Sequence, residues 1–293
     1  MGGAPKEVLL GGAPKEVLLG GAPEEVLSGD SPRAHAPFFQ QTVKHMLGII
    51  GGSGLDRIAG LQMIRQQETQ TPYGSPSDTL TFGRLQGREV VFLPRHGSRH
   101  TIAPHRINYR ANLWALHAQG VRDVIAVAAV GGIADVAVPG ALIVPDQIID
   151  YTSGREATFF DGVAQPLTHI DFTLPFCVDG RARLLRAGAA AGEILQDGGT
   201  YAATQGPRLE TAAEIDRLAR DGADIVGMTG MPEAALAREL KLGYAMLAVV
   251  VNAAAGRGAN TQGVSLEEIN VVATAAMQRV CGILDVLVRQ HGN

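Results

Sequence analysis

Short apolar runs recur along this chain, several of them without polar alternation, and they restrict its fold more than any other feature. The runs are LGII (47–50), TLTFGRL (79–85), EVVFLPR (89–95), DVIAVAAV (123–130), ALIVPDQII (141–149), ADIVGM (223–228) and YAMLAVVV (244–251). They are rich in Val and Ile, as expected of strands covered on both faces. Helical stretches fall between and after them, at 105–119, 180–194, 211–221, 232–241 and 265–289. Two of these open on a capping box, TAAE (Thr211 to Glu214) and SLEE (Ser265 to Glu268), in which a hydroxyl and a carboxylate satisfy free amides of the first turn. Pro232 stands where a first helical residue lacks a use for its N–H. The alternation predicts an α/β fold, a single domain with a central mixed, mostly parallel sheet flanked by helices.

The first 45 residues do not share this pattern. GGAPKEVLL, GGAPKEVLL and GGAPEEVLS form a nine-residue unit repeated in tandem, followed by the Pro-containing GDSPRAHAPFFQQTVKH. Gly-Gly and Pro in every unit interrupt any helix or strand, and solenoid units are longer. Residues 1–45 are therefore expected to be a flexible repetitive extension outside the fold, with the folded domain at 46–293. The extension lacks a secretory pattern, and no window is expected to reach the length of a membrane span. A net charge of −4 argues against nucleic acid or a membrane surface as partner. Two cysteines, Cys177 and Cys281, lie among apolar neighbours without metal-like spacing, the usage of a cytoplasmic protein with free thiols.

The first strand runs into a glycine-rich turn, MLGIIGGSGL (46–55). A dinucleotide-binding turn would need G-x-G-x-x-G, but Arg57 stands where the third glycine belongs, and no P-loop lysine follows. Two readings remain at this point: a plain strand-to-loop turn, or a nest of amides around Ser53 that suits an anion. Other stretches bear on the choice. Arg95, His96, Arg99, His100, His105 and Arg106 crowd the segment after one strand, and ligands of open α/β sheets bind beyond the carboxyl ends of strands. As metal ligands those histidines lack a nearby carboxylate, so no metal is expected. Ala128 and Ala129 are small enough for backbone to approach a ligand. Thr229 precedes the helix opened by Pro232, a position that also favours an anion.

GIIGGSGL, TPYGSPSD, PRHGSRHTIAPHRINYRAN, THIDFTLPFC, GPRLETAAE and GADIVGMTGMPE occur in that order. Together they resemble the purine nucleoside phosphorylase superfamily, in its branch of methylthioadenosine phosphorylases and their methylthioinosine relatives, over roughly residues 47–288. The resemblance implies a homotrimeric enzyme that cleaves a purine nucleoside with inorganic phosphate and uses no metal or organic cofactor. It places Ser53, Arg95, His96, Ala128, Ala129 and Thr229 around the phosphate and Met228 under the ribose. His169 would sit near the 5' substituent, contributed across a subunit boundary.

The purine end departs from methylthioadenosine phosphorylases. These carry an Asp after the strand that here ends AMLAVVVN, and a second Asp two residues on; this chain has Asn252 and Ala254. Where that branch has a small hydroxyl residue after its GPRF turn, GPRLET supplies Glu210. Glu210 and Asn252 resemble the base-reading pair of enzymes that act on inosine and guanosine. The chemistry agrees: a carboxylate accepts the N1–H of a 6-oxopurine but faces only a lone pair at N1 of adenine. An Asn amide donates to O6 and accepts from N7–H, whereas Asp only accepts. Alternatively, Glu210 only favours the following helix dipole and Asn252 only caps its strand. Val264 and Leu266 offer an apolar surface for a 5'-methylthio group. The expected reaction is phosphorolysis of methylthioinosine, with Glu210 and Asn252 as the catalytic pair; the alternatives are a phosphorylase of inosine and guanosine, a methylthioadenosine phosphorylase, or a nucleoside-binding protein without activity.

Overall fold

A computed structural model describes residues 46–291 apart from Asp56, Ala164 and Gln262, so the repeated segment 1–45 lies outside the described residues. The strands are β1 (Met46–Gly51), β2 (Gln62–Gln67), β3 (Leu80–Leu85), β4 (Arg88–Pro94), β5 (Val121–Gly132), β6 (Leu142–Val144), β7 (Gln147–Asp150), β8 (Leu195–Asp197), β9 (Thr200–Ala203), β10 (Ile225–Gly227) and β11 (Gly243–Ala253). The helices are α1 (Tyr109–Ala118), α2 (Val178–Ala190), α3 (Ala212–Arg220), α4 (Gly230–Glu239) and α5 (Leu266–Gln290).

The central strands explain the apolar runs. In β11, Tyr244, Met246, Ala248 and Val250 join the core that also holds Leu113 and Leu116 of α1 and Leu236 of α4. The intervening Ala245, Leu247, Val249 and Val251 join the opposite core, with Leu184 of α2 and Val280, Ile283 and Leu284 of α5. Both faces of the strand are buried, so polar alternation is lost.

The sheet is mixed, with parallel pairings at its centre: β1 runs parallel to β4 and to β5, and β11 parallel to β5. β11 occupies one edge of β5 as far as Gly132. The other edge is divided. β1 pairs with it through Ala126, and β10 pairs antiparallel with Gly131 and Gly132. Between these partners the β5 backbone at residues 127–130 has an open edge, and this split in the sheet makes room for a ligand.

Several expectations need correction. ALIVPDQII is two strands, because the chain turns at Pro145 and Asp146 so that β6 pairs with β11 while β7 pairs with β9. The first helix begins later than residue 105: a short 3-10 turn spans Pro104–Arg106, and Asn108 then caps α1 by accepting from the Ala111 amide at 3.0 Å. β2, β8 and β9 were not anticipated. The Thr211 capping box is complete, but at Ser265 only the bond from the Glu268 amide forms. The expectation about membrane-span length is also overturned, since the 25 residues of α5 are long and apolar enough by length and composition. Its Ala276, Val280, Ile283, Leu284 and Leu287 are buried in the core.

Candidate active site

A cavity of about 380 Å³ opens at the split, within the size range of small-molecule sites. Ser53 after β1, Arg95 and His96 after β4, Ala128 and Ala129 in β5, and Met228 and Thr229 after β10 all line it. So do Glu210, Asn252, Ala254, Val264 and Leu266. Of the basic cluster after β4, Arg95, His96 and His100 line the cavity and Arg99, His105 and Arg106 do not; of the residues the resemblance places in the site, His169 alone stays outside, exposed in the loop between β7 and α2.

The glycine turn has a packing cause. A side chain at Gly52 would lie 2.5 Å from the Val127 carbonyl of β5, so β1 can approach the open edge only with glycine there. Gly54 adopts a φ of +84°, in the left-handed region that glycine tolerates. The Leu55 amide closes the turn onto the Gly52 carbonyl at 2.9 Å, while Ser53 Oγ stands 3.4 Å from His100 Nε2.

Arg95 is completely buried and forms a two-point pair with Glu233, Nε to Oε2 at 2.7 Å and Nη2 to Oε1 at 2.8 Å. Its Nη1 donates to the Val127 carbonyl at 2.9 Å, filling part of the open edge of β5. Burial alone would lower the Arg95 pKa, but the Glu233 charge and its hydrogen bonds reverse this and raise it. Arg95 thus stays cationic. Tyr244 donates to Glu233 Oε1 at 2.8 Å; burial and the Glu233 charge hold its pKa well above the ordinary phenol value. A guanidinium has five N–H donors. After these bonds, one hydrogen on Nη1 and one on Nη2 remain for a ligand, and the cation is already balanced by Glu233. The site offers an anion oriented donors more than net positive charge.

His96 is 7% exposed, and its Nδ1 is 2.8 Å from the Ile102 carbonyl. A carbonyl only accepts, so Nδ1 carries a proton. Asp78, from the TPYGSPSD stretch, steadies this loop by accepting from the Ser98 amide at 2.6 Å. Burial alone would raise the Asp78 pKa, but hydrogen bonds from Ser98 and Thr79 hold it below the ordinary value. On the other side, Tyr201 accepts from the Thr229 and Gly230 amides at 3.2 and 3.3 Å. These amides at the start of α4 are already occupied. Thr229 makes no side-chain cap to its own helix, and the non-helical Met231 confirms that regular helix starts at Pro232.

At the opposite end, Glu210 Oε1 accepts from the Thr204 hydroxyl at 2.6 Å, which leaves Oε2 for a ligand. Asn252 follows an irregularity in β11, where Val250 pairs with Val130 and Asn252 with Gly131, so that Val251 is extra. Such a bulge re-aims the next side chain. Asn252 Nδ2 donates to the Ala253 carbonyl at 2.6 Å, which fixes the amide's sense. Oδ1 is then an acceptor, with the second Nδ2 hydrogen beside it.

Sequence reasoning missed Glu233 and Tyr201. Glu233 was visible only as the residue after Pro232, and Tyr201 lies in an unanticipated strand.

This fold and cavity define a nucleoside phosphorylase-like protein, and comparison with known families agrees. The chain belongs to the phosphorylase superfamily, whose model matches residues 46–289. Over 232 residues it is 52% identical to the probable S-methyl-5'-thioinosine phosphorylase of Pseudomonas syringae pv. tomato, covering 79% of this chain and 94% of that protein. It is 45% identical to the purine nucleoside phosphorylase of Streptomyces coelicolor, with 83% and 88% covered. Among solved structures, the methylthioadenosine phosphorylase of Schistosoma mansoni in complex with adenine superposes with a TM-score of 0.80 at 32% identity, covering 84% of this chain and 91% of that one.

Proposed function

We propose that this protein is an S-methyl-5'-thioinosine phosphorylase, a pentosyltransferase that converts S-methyl-5'-thioinosine and inorganic phosphate to hypoxanthine and 5-methylthioribose 1-phosphate. The observation that carries the reading is that Glu210 and Asn252 line the same cavity as Ser53, Arg95, His96 and Thr229. Glu210 Oε2 accepts the purine N1–H. Asn252 donates its second Nδ2 hydrogen to O6 and accepts N7–H through Oδ1. An adenine edge would leave the Glu210 carboxylate facing a lone pair.

The chemistry follows from position. Phosphate, held beneath the sugar by Ser53, His96, Thr229 and the remaining Arg95 hydrogens, stabilises positive charge as the C1'–N9 bond breaks. A phosphate oxygen then forms the new bond to C1' from the opposite face, with inversion and no covalent enzyme intermediate. The bonding electrons go to the purine, which takes up a proton from solvent at N7, and the N7–H so formed donates to Asn252 Oδ1. Phosphate is itself the nucleophile, so the reaction calls for no cofactor.

Val264, Leu266 and Ile269 line the same cavity and suit a methylthio group better than a hydroxyl. A second reading, phosphorolysis of inosine and guanosine, is favoured by the same Glu210–Asn252 pair and differs only at this apolar end. Leu266 is 67% exposed and His169 stands off the cavity, which supports a homotrimer in which a neighbour completes the 5' end. The free Cys177 and Cys281 support a cytoplasmic setting. Initial rates with methylthioinosine, inosine and methylthioadenosine at saturating phosphate test the proposal. The highest kcat/KM is expected for methylthioinosine. A preference for methylthioadenosine would overturn the base reading, and a preference for inosine the 5' reading.

A further inference from the structure

We propose that Arg155 is a positioning residue that locks the base-reading carboxylate and the ribose floor into one unit. This rests on the roles given to Glu210 and Met228 above. Arg155 is half-buried in the loop after β7 and faces three other segments at once. Its Nη1 donates to the Met228 and Met231 carbonyls at 2.8 and 2.6 Å and lies 3.2 Å from the Tyr109 hydroxyl. Its Nη2 donates to the Thr204 and Gln205 carbonyls at 3.2 and 2.9 Å, and its Nε to Gln205 Oε1 at 3.1 Å.

Four main-chain carbonyls converge on this guanidinium. Their dipoles repel one another unless a cation with enough N–H groups lies between them, and left without a partner each would be an unsatisfied polar group. Both segments that supply them carry cavity residues. Thr204, held through its carbonyl, donates its hydroxyl to Glu210 at 2.6 Å. Met228, held through its own carbonyl, lines the cavity. The segments also touch directly, since a side chain at Gly206 would lie 2.4 Å from Met228 Sδ. The loop bearing Arg155 is itself clasped to the turn: the Ser153 amide donates to Gln205 Oε1 at 3.1 Å, and Gln205 Nε2 donates to the Ser153 carbonyl at 2.9 Å.

Arg155 touches neither Glu210 nor the cavity in these bonds, so it acts through Thr204 and Met228. A lysine keeps the charge but has no planar fork to span two turns. The test compares wild type with Arg155→Lys and Arg155→Ala, using methylthioinosine, methylthioadenosine and varied phosphate. In Arg155→Lys the ratio of kcat/KM for methylthioinosine to that for methylthioadenosine should fall about tenfold from its wild-type value, because Glu210 loses its fixed aim. KM for phosphate should rise less than KM for the nucleoside, since Ser53, Arg95 and His96 stand on segments that Arg155 does not hold and only Thr229 lies between the Met228 and Met231 carbonyls it binds. Millimolar guanidinium should restore part of the lost ratio in Arg155→Ala. A partly unfolded variant would lower both rates in proportion and leave the ratio untouched. An unchanged ratio, or a rise in phosphate KM as large as that for nucleoside, overturns the proposal. The wild-type profile judges the substrate reading separately; the Arg155 proposal is judged by how the variants alter that profile, whatever its starting point.

Discussion

The two ends of the cavity are built differently. At the phosphate end Arg95 and Glu233 are fully buried, His96 and Thr229 nearly so, and each grows directly from the end of a strand or the start of a helix. At the purine end Glu210 and Asn252 are only half-buried, and Glu210 stands on the connection between β9 and α3. On the proposed reading, most of the phosphate-holding groups are set into the core, where a change disturbs packing, with Ser53 and Ala129 half-buried beside them. The choice of purine, on the same proposed reading, rests on a turn and a bulge, which can change without disturbing the sheet. Elements under this kind of constraint hold a common reaction, and loops around them adjust its substrate.

The sharpest test of that contrast is Glu233→Ala. It leaves the buried Arg95 cation without its counter-charge and should lower unfolding stability by about 3–5 kcal/mol, measured by denaturant titration. A loss well under 1 kcal/mol would mean that the phosphate end is not the rigid part. Next in size is Asn252→Ala, which should lower kcat by about 10²–10³-fold, as for other removed transition-state partners, while KM for phosphate moves far less. The reverse pattern would take Asn252 out of the leaving-group role and blur the division between the ends.

Smaller still is Glu210→Gln, which offers an N–H to the adenine N1. It should shift preference from methylthioinosine towards methylthioadenosine by about tenfold or more, read as the ratio of kcat/KM, with little effect on unfolding. A variant that loses both substrates and also melts early would show the purine end to be as embedded as the other.

The mildest effect is expected at the cap of α3, just beyond Glu210. Hydrogen bonds from Arg208 and from the Thr211 amide hold the Glu214 carboxyl down to about 2, below its ordinary 4.5. A depressed carboxyl stabilises the fold above the ordinary value, and that stabilisation fades as pH falls towards the folded one. The melting-temperature difference between wild type and Glu214→Gln should therefore be steady above pH 4.5 and shrink towards about 2. The side chain is 42% exposed, so the difference should be small throughout. Growth of the difference on acidification would contradict the pairing.

What was legible in the sequence follows the same division. The central strands were plain because burial on both faces leaves an unbroken apolar run, and α3 because Thr211 and Glu214 cap it. β2 was hidden: QMIRQQ is an edge strand, almost wholly exposed, with no apolar face to declare it. β8 and β9 are three and four residues long, too short for any period to show. Pro145 inside ALIVPDQII did mark the corner that separates β6 from β7, but the hydrophobicity on either side outweighed it. In the site, most residues within ordered motifs were found, whereas Tyr201 and Arg155, outside them, and Glu233, at the end of GADIVGMTGMPE, were not. Their partners lie far along the chain: Glu233 meets Arg95 across 138 positions, a relation no local pattern records.

The long edge that β5 shares with β11 has a bearing on synthesis. Val121–Gly132 leaves the ribosome with β1 already available, but its other neighbour, Gly243–Ala253, is made near the end of the chain. Until then the nascent polypeptide carries a long apolar strand with one side unsatisfied, the kind of surface that invites pairing with other chains. Translation halted before Gly243 would yield a fragment without Asn252 and with half of its central ladder missing. Such a fragment would be a substrate for quality control, not a weaker enzyme.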